Sequence, residues 1–490
     1  MTQTAATAEP PAKPLVADRL ADFSDKLSPM LVKELRQGLR AKTFVIVFLT
    51  LQGLLLLVLL SAVAASTQPQ RAGGAISGII FMFFSMALLV IQPIRGIGTL
   101  QREVQGKTIE LMVLTRLSAW KIVLGKWVSI VSQSALIFAA IVPYLILRYW
   151  FGDMNLFGEL SLMILIFLAS AVLTAIIVGI SCVPSVLLRG LVPLLAGGVG
   201  LIAIPNFCFG REFEELVSIA AMQTPETFWG VAISVLCALY VGWTALGIGA
   251  GMIAPAAENH ATLKRLITLA ILVILLPVGA FAPVHAEALA VLVAVIVVPS
   301  LALSLTEPFH LMPPICSPFV RRGTPGRLGG RLLYPGWPSG VLFSLLVIAL
   351  GVTAVWLAID GPIDREFVVV LIALLGSLLM PAVATVLFDK KIKNRFTTYL
   401  LLFVAGAVIA FVVGFIASSL APGSRGFLWA FAWLPQSFVC MAVFPRDFDA
   451  DTLSLVATVV GGLYLVVLLP MALVRFPKIS EVESEATGSK

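Results

Sequence analysis

The sequence predicts an all-α integral membrane protein of about twelve transmembrane helices, and three observations carry that prediction. The first is composition: residues of the AVILMFWYC set make up 59% of the 490, and charged residues only 12%. Soluble domains carry roughly 25% charged residues, so this chain lacks the polar side chains to cover a water-facing surface. The second is run length. The apolar residues fall in stretches of roughly 18 or more, enough to cross a ~30 Å hydrocarbon core at about 1.5 Å per residue. The third is the sign of the loops between these stretches, which alternates along the chain.

Residues 1–27, polar and rich in Ala, Thr and Pro, read as a flexible cytoplasmic tail. The first 42 residues contain no apolar run, so no cleavable signal peptide is expected. Six spans follow, near Thr43–Ala65, Ile76–Pro93, Ile122–Leu147, Leu160–Leu187, Leu191–Phe207 and Phe228–Ala254. Six more lie near Leu266–Phe281, Ala286–Leu305, Val341–Ala358, Phe367–Phe388, Thr397–Leu420 and Leu453–Val474. The apolar stretch Phe427–Phe444 contains Pro435 and Gln436 and reads as re-entrant or interfacial. Residues 475–490 read as a cytoplasmic tail, mobile from 479 onward.

Loop charges orient this path. Loop 94–121 holds Arg95, Arg102, Lys107, Arg116 and Lys121 against Glu103 and Glu110. Loop 306–338 holds four arginines against Glu307, and loop 389–396 holds Lys390, Lys391, Lys393 and Arg395 against Asp389. The opposite loops are acidic, with Glu212, Glu214, Glu215 and Glu226 in one and Asp360, Asp364 and Glu366 in the other. Positive loops stay cytoplasmic, so both termini are expected inside. The net charge of +7 is thereby explained by topology, and no nucleic-acid partner is implied. The loop order recurs, which suggests two six-span units of like orientation, 43–254 and 255–474.

Several chemistries are disfavoured. The five cysteines form no CxxC and the three histidines are far apart, so neither metal nor redox site is expected. The central part of every span lacks an ionisable residue, which counts against a proton-coupled carrier. No G-x-x-x-x-G-K-[ST] phosphate loop occurs, so any ATP chemistry would belong to a separate chain and this one would bind no cofactor. The GxxxG spacings Gly74/Gly78 and Gly247/Gly251 are of a kind that arises by accident in glycine-rich spans.

Two cytoplasmic segments carry more information. In residues 28–42, Ser28 suits a helix cap and Pro29 its first turn. Leu31, Val32, Leu35 and Leu39 share one face, and Lys33, Arg36, Gln37 and Arg40 cover another. This is the pattern of an amphipathic helix lying at the inner membrane interface. In loop 95–121, Gly106 interrupts a charged stretch and Thr108–Leu114 predicts a short helix with an apolar side, suited to a groove on a soluble partner.

Both segments resemble the permease subunits of type-2 ABC exporters. The family's elbow helix carries a (K/R)-E-(L/F)-R pattern, matched by Lys33, Glu34, Leu35 and Arg36. Its R-E-x-G-T-(L/I)-E-x-L-x-x-T-P-L-S stretch and the following I-x-x-G-K are matched by Arg102, Glu103, Thr108, Ile109, Glu110, Leu114, Thr115, Leu117, Ser118, Ile122, Gly125 and Lys126. Arg116 stands where the family has proline, and Lys107 lengthens the turn after Gly106. The resemblance implies an elbow helix and a coupling helix through which a separate ATPase, in two copies, acts on the spans of an inner-membrane exporter in a prokaryote. It assigns the ATPase contact to Arg102, Glu103, Thr108, Ile109, Glu110, Leu111, Leu114 and Thr115. Loop 306–338 contains seven prolines and is not expected to form an equivalent coupling helix. A homodimer, a second permease partner and a self-sufficient pseudo-dimer all stay open. So do a twelve-span secondary carrier and a non-transporting anchor or assembly protein.

Overall fold

The computed structural model describes residues 29–65, 69–106, 118–149, 155–255, 258–281, 285–359, 364–389, 392, 394–421 and 423–486. Among them all regular structure is helical, and twelve helices are long and apolar enough to cross a membrane. The chain is a multi-pass membrane protein. Each of the twelve falls on an expected apolar run.

Helix α1 (Pro29–Leu39) precedes the first span, α2 (Lys42–Ala65). The second span, α3 (Pro69–Ser85), continues through a π-helical segment Met86–Ile91 into a last turn Gln92–Ile94. A short helix α4 (Thr99–Gln105) follows, then the spans α5 (Ala119–Tyr149) and α6 (Leu156–Ile180). A π-turn Leu187–Leu191 leads into α7 (Val192–Cys208). Both π-segments sit directly before a proline, Pro93 and Pro193. Proline removes one amide donor and crowds the preceding turn, and a widened turn relieves that crowding. In α3 the Leu88 carbonyl accepts instead from Ser170 Oγ of α6, at 2.6 Å.

The acidic segment before the sixth span is a helix, α8 (Arg211–Ala220), packed on α6, and α9 (Pro225–Ile253) completes the first set. The second set contains α10 (Ala261–Phe281), α11 (Ala286–Thr306), α14 (Trp337–Leu357), α15 (Arg365–Leu387), α16 (Arg395–Ser418) and α18 (Ala450–Leu473). The stretch expected to be re-entrant is broken as anticipated. A 3-10 segment Arg425–Phe431 and the short helix α17 (Gln436–Ala442) pack on α15 and α16 without forming a span.

Packing repeats across the two sets. The fourth and sixth spans of each, α6 with α9 and α15 with α18, make extensive contacts. Glycine permits both crossings. A Cβ on Gly179 would lie 2.1 Å from the Ala245 carbonyl oxygen, and Gly249 faces Gly179. Gly376 faces Gly461, where an added Cβ would sit 3.8 Å from the opposing Cα. The GxxxG pair Gly247/Gly251 marks no such crossing: Gly247 faces Lys264, and Gly251 faces open space.

One expectation is overturned, and the proline argument behind another does not hold. Loop 306–338 does form helices, α12 (Pro313–Val320) and α13 (Gly323–Leu333). Most of its prolines fall where no amide bond is lost: Pro313 and Pro314 start α12, Pro325 is in the first turn of α13, and Pro338 is in the first turn of α14. Nor is the chain beyond residue 479 a mobile tail up to residue 486. Helix α19 (Phe476–Ala486) packs on α12, with Ile479 fully buried.

Candidate functional site

Helix α1 lies along α5 because Gly38 lets it. A Cβ there would stand 2.3 Å from Gln133 Nε2 and 2.9 Å from Ser129 Oγ. Ser129 Oγ donates to the Glu34 carbonyl at 3.0 Å, tying the two helices through the backbone. Lys33, Arg36, Gln37 and Arg40 are exposed, Leu35 and Leu39 half-buried, and Glu34 buried against α5. The amphipathic arrangement is therefore as the sequence implies.

Glu34 reaches Lys126, whose Nζ lies 2.7 Å from Glu34 Oε1 and 2.5 Å from Glu103 Oε1. The side chains are 10%, 14% and 16% exposed for Glu34, Lys126 and Glu103. A surface ion pair contributes about 0–1 kcal/mol, whereas removing one partner of a buried one costs about 3–5 kcal/mol. This cluster belongs nearer the second regime.

Deeper in, Arg95 donates to Gln92 Oε1 at 3.0 Å and to Gln133 Oε1, and its guanidinium lies 5.7 Å from the Phe44 ring centre. Gln133 Nε2 donates in turn to the Ser129 carbonyl at 3.1 Å. Helix α4 starts at Gly98, whose φ of +65° favours glycine. Leu100 of α4 is fully buried, with its N–H directed at Ser181 Oγ just past the end of α6. Trp127 Nε1 donates to the Ala171 carbonyl at 2.8 Å, joining α5 to α6. One connected network thus links α1, the ends of α3 and α4, α5 and α6.

Of the residues assigned by resemblance, Glu34 and Glu103 come together through Lys126. Lys33, Arg36 and Arg102 are exposed, and Arg102 Nε donates to the Gly98 carbonyl at 3.4 Å. Thr108, Ile109, Glu110, Leu111, Leu114 and Thr115 lie outside the described residues. Gln92, Ser129 and Gln133 were not singled out in the sequence, and Arg95 was read only as a loop cation. The amides at 92 and 133, inside otherwise apolar runs, are the signal that could have found them.

The second set has its own polar centre near the ends of its spans. Arg265, with a side chain 3% exposed, donates to the carbonyls of Leu332 (3.1 Å), Tyr334 (2.7 Å) and Gly336 (3.2 Å) and pairs with Glu307. Glu307 also accepts from the Gly336 N–H at 3.1 Å. Beside it α19 is fastened by Arg331 to Glu483 at 2.9 Å and to Ser480 Oγ at 3.1 Å. The Glu483 carboxylate raises the Arg331 pKa, and burial pushes the Cys316 thiol up to about 11. At the other end of α5, Arg148 and Glu159 form a buried pair at 3.8 Å, with Ser77 Oγ donating to both carboxylate oxygens. These buried ion pairs all sit near span ends. No protein family, characterised protein or solved structure was found to match the chain.

Proposed function

We propose that this chain is the membrane-spanning subunit of an ATP-driven exporter, energised by a separate ATPase that docks on the loop between α4 and α5. One observation carries the reading. Glu34 belongs to one of the two segments that resemble exporter permeases and Glu103 and Lys126 to the other, and the three meet in a single ion cluster. Force applied to the loop would pass through Glu103 to Lys126 and α5, through Glu34 to α1, and through Leu100 to α6. A rigid connection of this kind is what coupling requires, because an ATPase can drive the spans only through elements that move together. The chain itself would hydrolyse no ATP. A proton-coupled carrier finds less support, since the buried ion pairs lie near the ends of spans and not at mid-membrane.

The test is co-purification with the ATPase, followed by ATP hydrolysis and transport in proteoliposomes. Leu111→Asp would place an unpaired carboxylate in a dry groove, at a cost of several kcal/mol. It should uncouple hydrolysis from transport while leaving insertion intact, and Glu110→Lys should act in the same direction. A chain that captures no ATPase, or one indifferent to both substitutions, would overturn the assignment.

A further inference from the structure

A cavity of about 720 Å³ opens at the cytoplasmic ends of α9, α10, α11 and α16, away from the α1–α5 cluster. Its apolar wall includes Ile248, Met252 and Leu303, and its rim carries charge. Three carboxylates face it, and each is already engaged. Glu258 lies 2.8 Å from His260, Glu307 holds Arg265 and the Gly336 N–H, and Asp389 holds Arg395 and, at 3.9 Å, Arg475.

The cations are less well matched. Two guanidinium groups share the single carboxylate of Asp389. Arg395 is stacked on Trp337, 5.2 Å from the ring centre, and its buried Nη1 has no acceptor among the described residues. Lys264 donates to the Gly247 carbonyl at 2.8 Å and forms no ion pair among the described residues. An ammonium has three donors, so capacity remains.

We propose that this cavity binds a phosphate-bearing anion, supplied by an anionic phospholipid of the cytoplasmic leaflet or by a soluble phosphate compound. Its position at the inner ends of spans, a basic rim above an apolar wall, suits a lipid headgroup with its chains toward the bilayer. A phosphate offers more acceptor oxygens than a carboxylate and takes the guanidinium fork well. Binding does not depend on the transport assignment, because it can be read without an ATPase.

The experiment uses the full chain in nanodiscs of phosphatidylglycerol mixed with phosphatidylcholine, with retained lipid measured by native mass spectrometry. The wild type should retain phosphatidylglycerol preferentially. Lys264→Gln and Arg395→Gln should each reduce that preference about tenfold, the loss of one charge-assisted contact. Arg189→Gln, outside the cavity, should leave it unchanged. Lys264→Gln keeps the Arg395–Asp389 pair, so the test survives if the Arg395 variant fails to fold. Inorganic phosphate that binds the lipid-free protein and displaces phosphatidylglycerol would identify a soluble source; retention that resists phosphate would identify the leaflet. The proposal is overturned if the wild type neither prefers phosphatidylglycerol nor binds phosphate. It is equally overturned if a folded Lys264→Gln variant binds like the wild type.

Discussion

At the α1 face of the first six spans, α1 is held on α5 by charge: Glu34 and Glu103 converge on Lys126. At the face of the second six, α19 is held on α12 largely by apolar burial, with Ile479, Cys316 and Tyr334 all fully buried beside the Arg331–Glu483 pair. One set thus recruits a helix that precedes its spans, the other a helix that follows them. The contrast is physical. An ion cluster is directional and fixes α1, α4 and α5 in one register, whereas apolar contact covers surface with less demand on geometry. The first arrangement suits transmission of force; the second suits a cap over the α12–α13 loop.

The largest expected effect tests whether the second face also has an ionic keystone. Arg265→Leu removes four acceptor contacts at once and leaves Glu307 without its cation. Breaking a buried pair costs about 3–5 kcal/mol, and the orphaned carbonyls add to that. Thermal unfolding in detergent should show a severe loss. Lys126→Met should come next, near the lower end of that range, because Glu34 and Glu103 would be left facing each other. Adding Glu34→Gln should recover part of the loss. If Lys126→Met were harmless, the first face would not be held by charge, and the contrast would collapse.

A smaller effect compares the matching helix crossings. Gly179→Ala puts a methyl 2.1 Å from the Ala245 oxygen, so α6 and α9 must separate, at about 1–3 kcal/mol. Gly461→Ala meets only an ordinary contact at 3.8 Å in the α15–α18 crossing and should be close to neutral. Equal sensitivity in unfolding measurements would mean that the two crossings are alike in tightness as well as in position.

The spans were legible in the sequence because run length and hydropathy are local properties. The amphipathic face of α1 was legible for the same reason. The Lys126 cluster was not: Glu34 and Lys126 are 92 positions apart, and an ion pair across that distance leaves no periodic trace. The helices of loop 306–338 were missed because proline was weighed as a helix breaker without regard to position, although Pro313, Pro314 and Pro325 stand in first turns. Helix α19 did carry a signal. Ile479, Val482 and Ala486 recur at spacings of three and four, on a segment otherwise charged enough to read as a tail.

The smallest effect tests that helix directly, through Cys316. The thiol is fully buried and its pKa is pushed up to about 11 by desolvation, so little of the reactive thiolate forms at neutral pH. In a variant with the other four cysteines replaced, maleimide should label Cys316 slowly while α19 is docked. Arg331→Ala removes a pair whose arginine is 32% exposed, so it should cost only about 1 kcal/mol and raise the labelling rate a few-fold. Deleting residues 476–490 removes the fully buried Ile479, a side chain whose burial is worth about 1.5–3 kcal/mol, and should raise the rate at least about tenfold. Rapid labelling of the intact chain would show that α19 does not stay docked. Labelling that stays slow after the deletion would show that α12 and α13 shield Cys316 unaided, leaving α19 no role as the cap that sets the second face apart from the first.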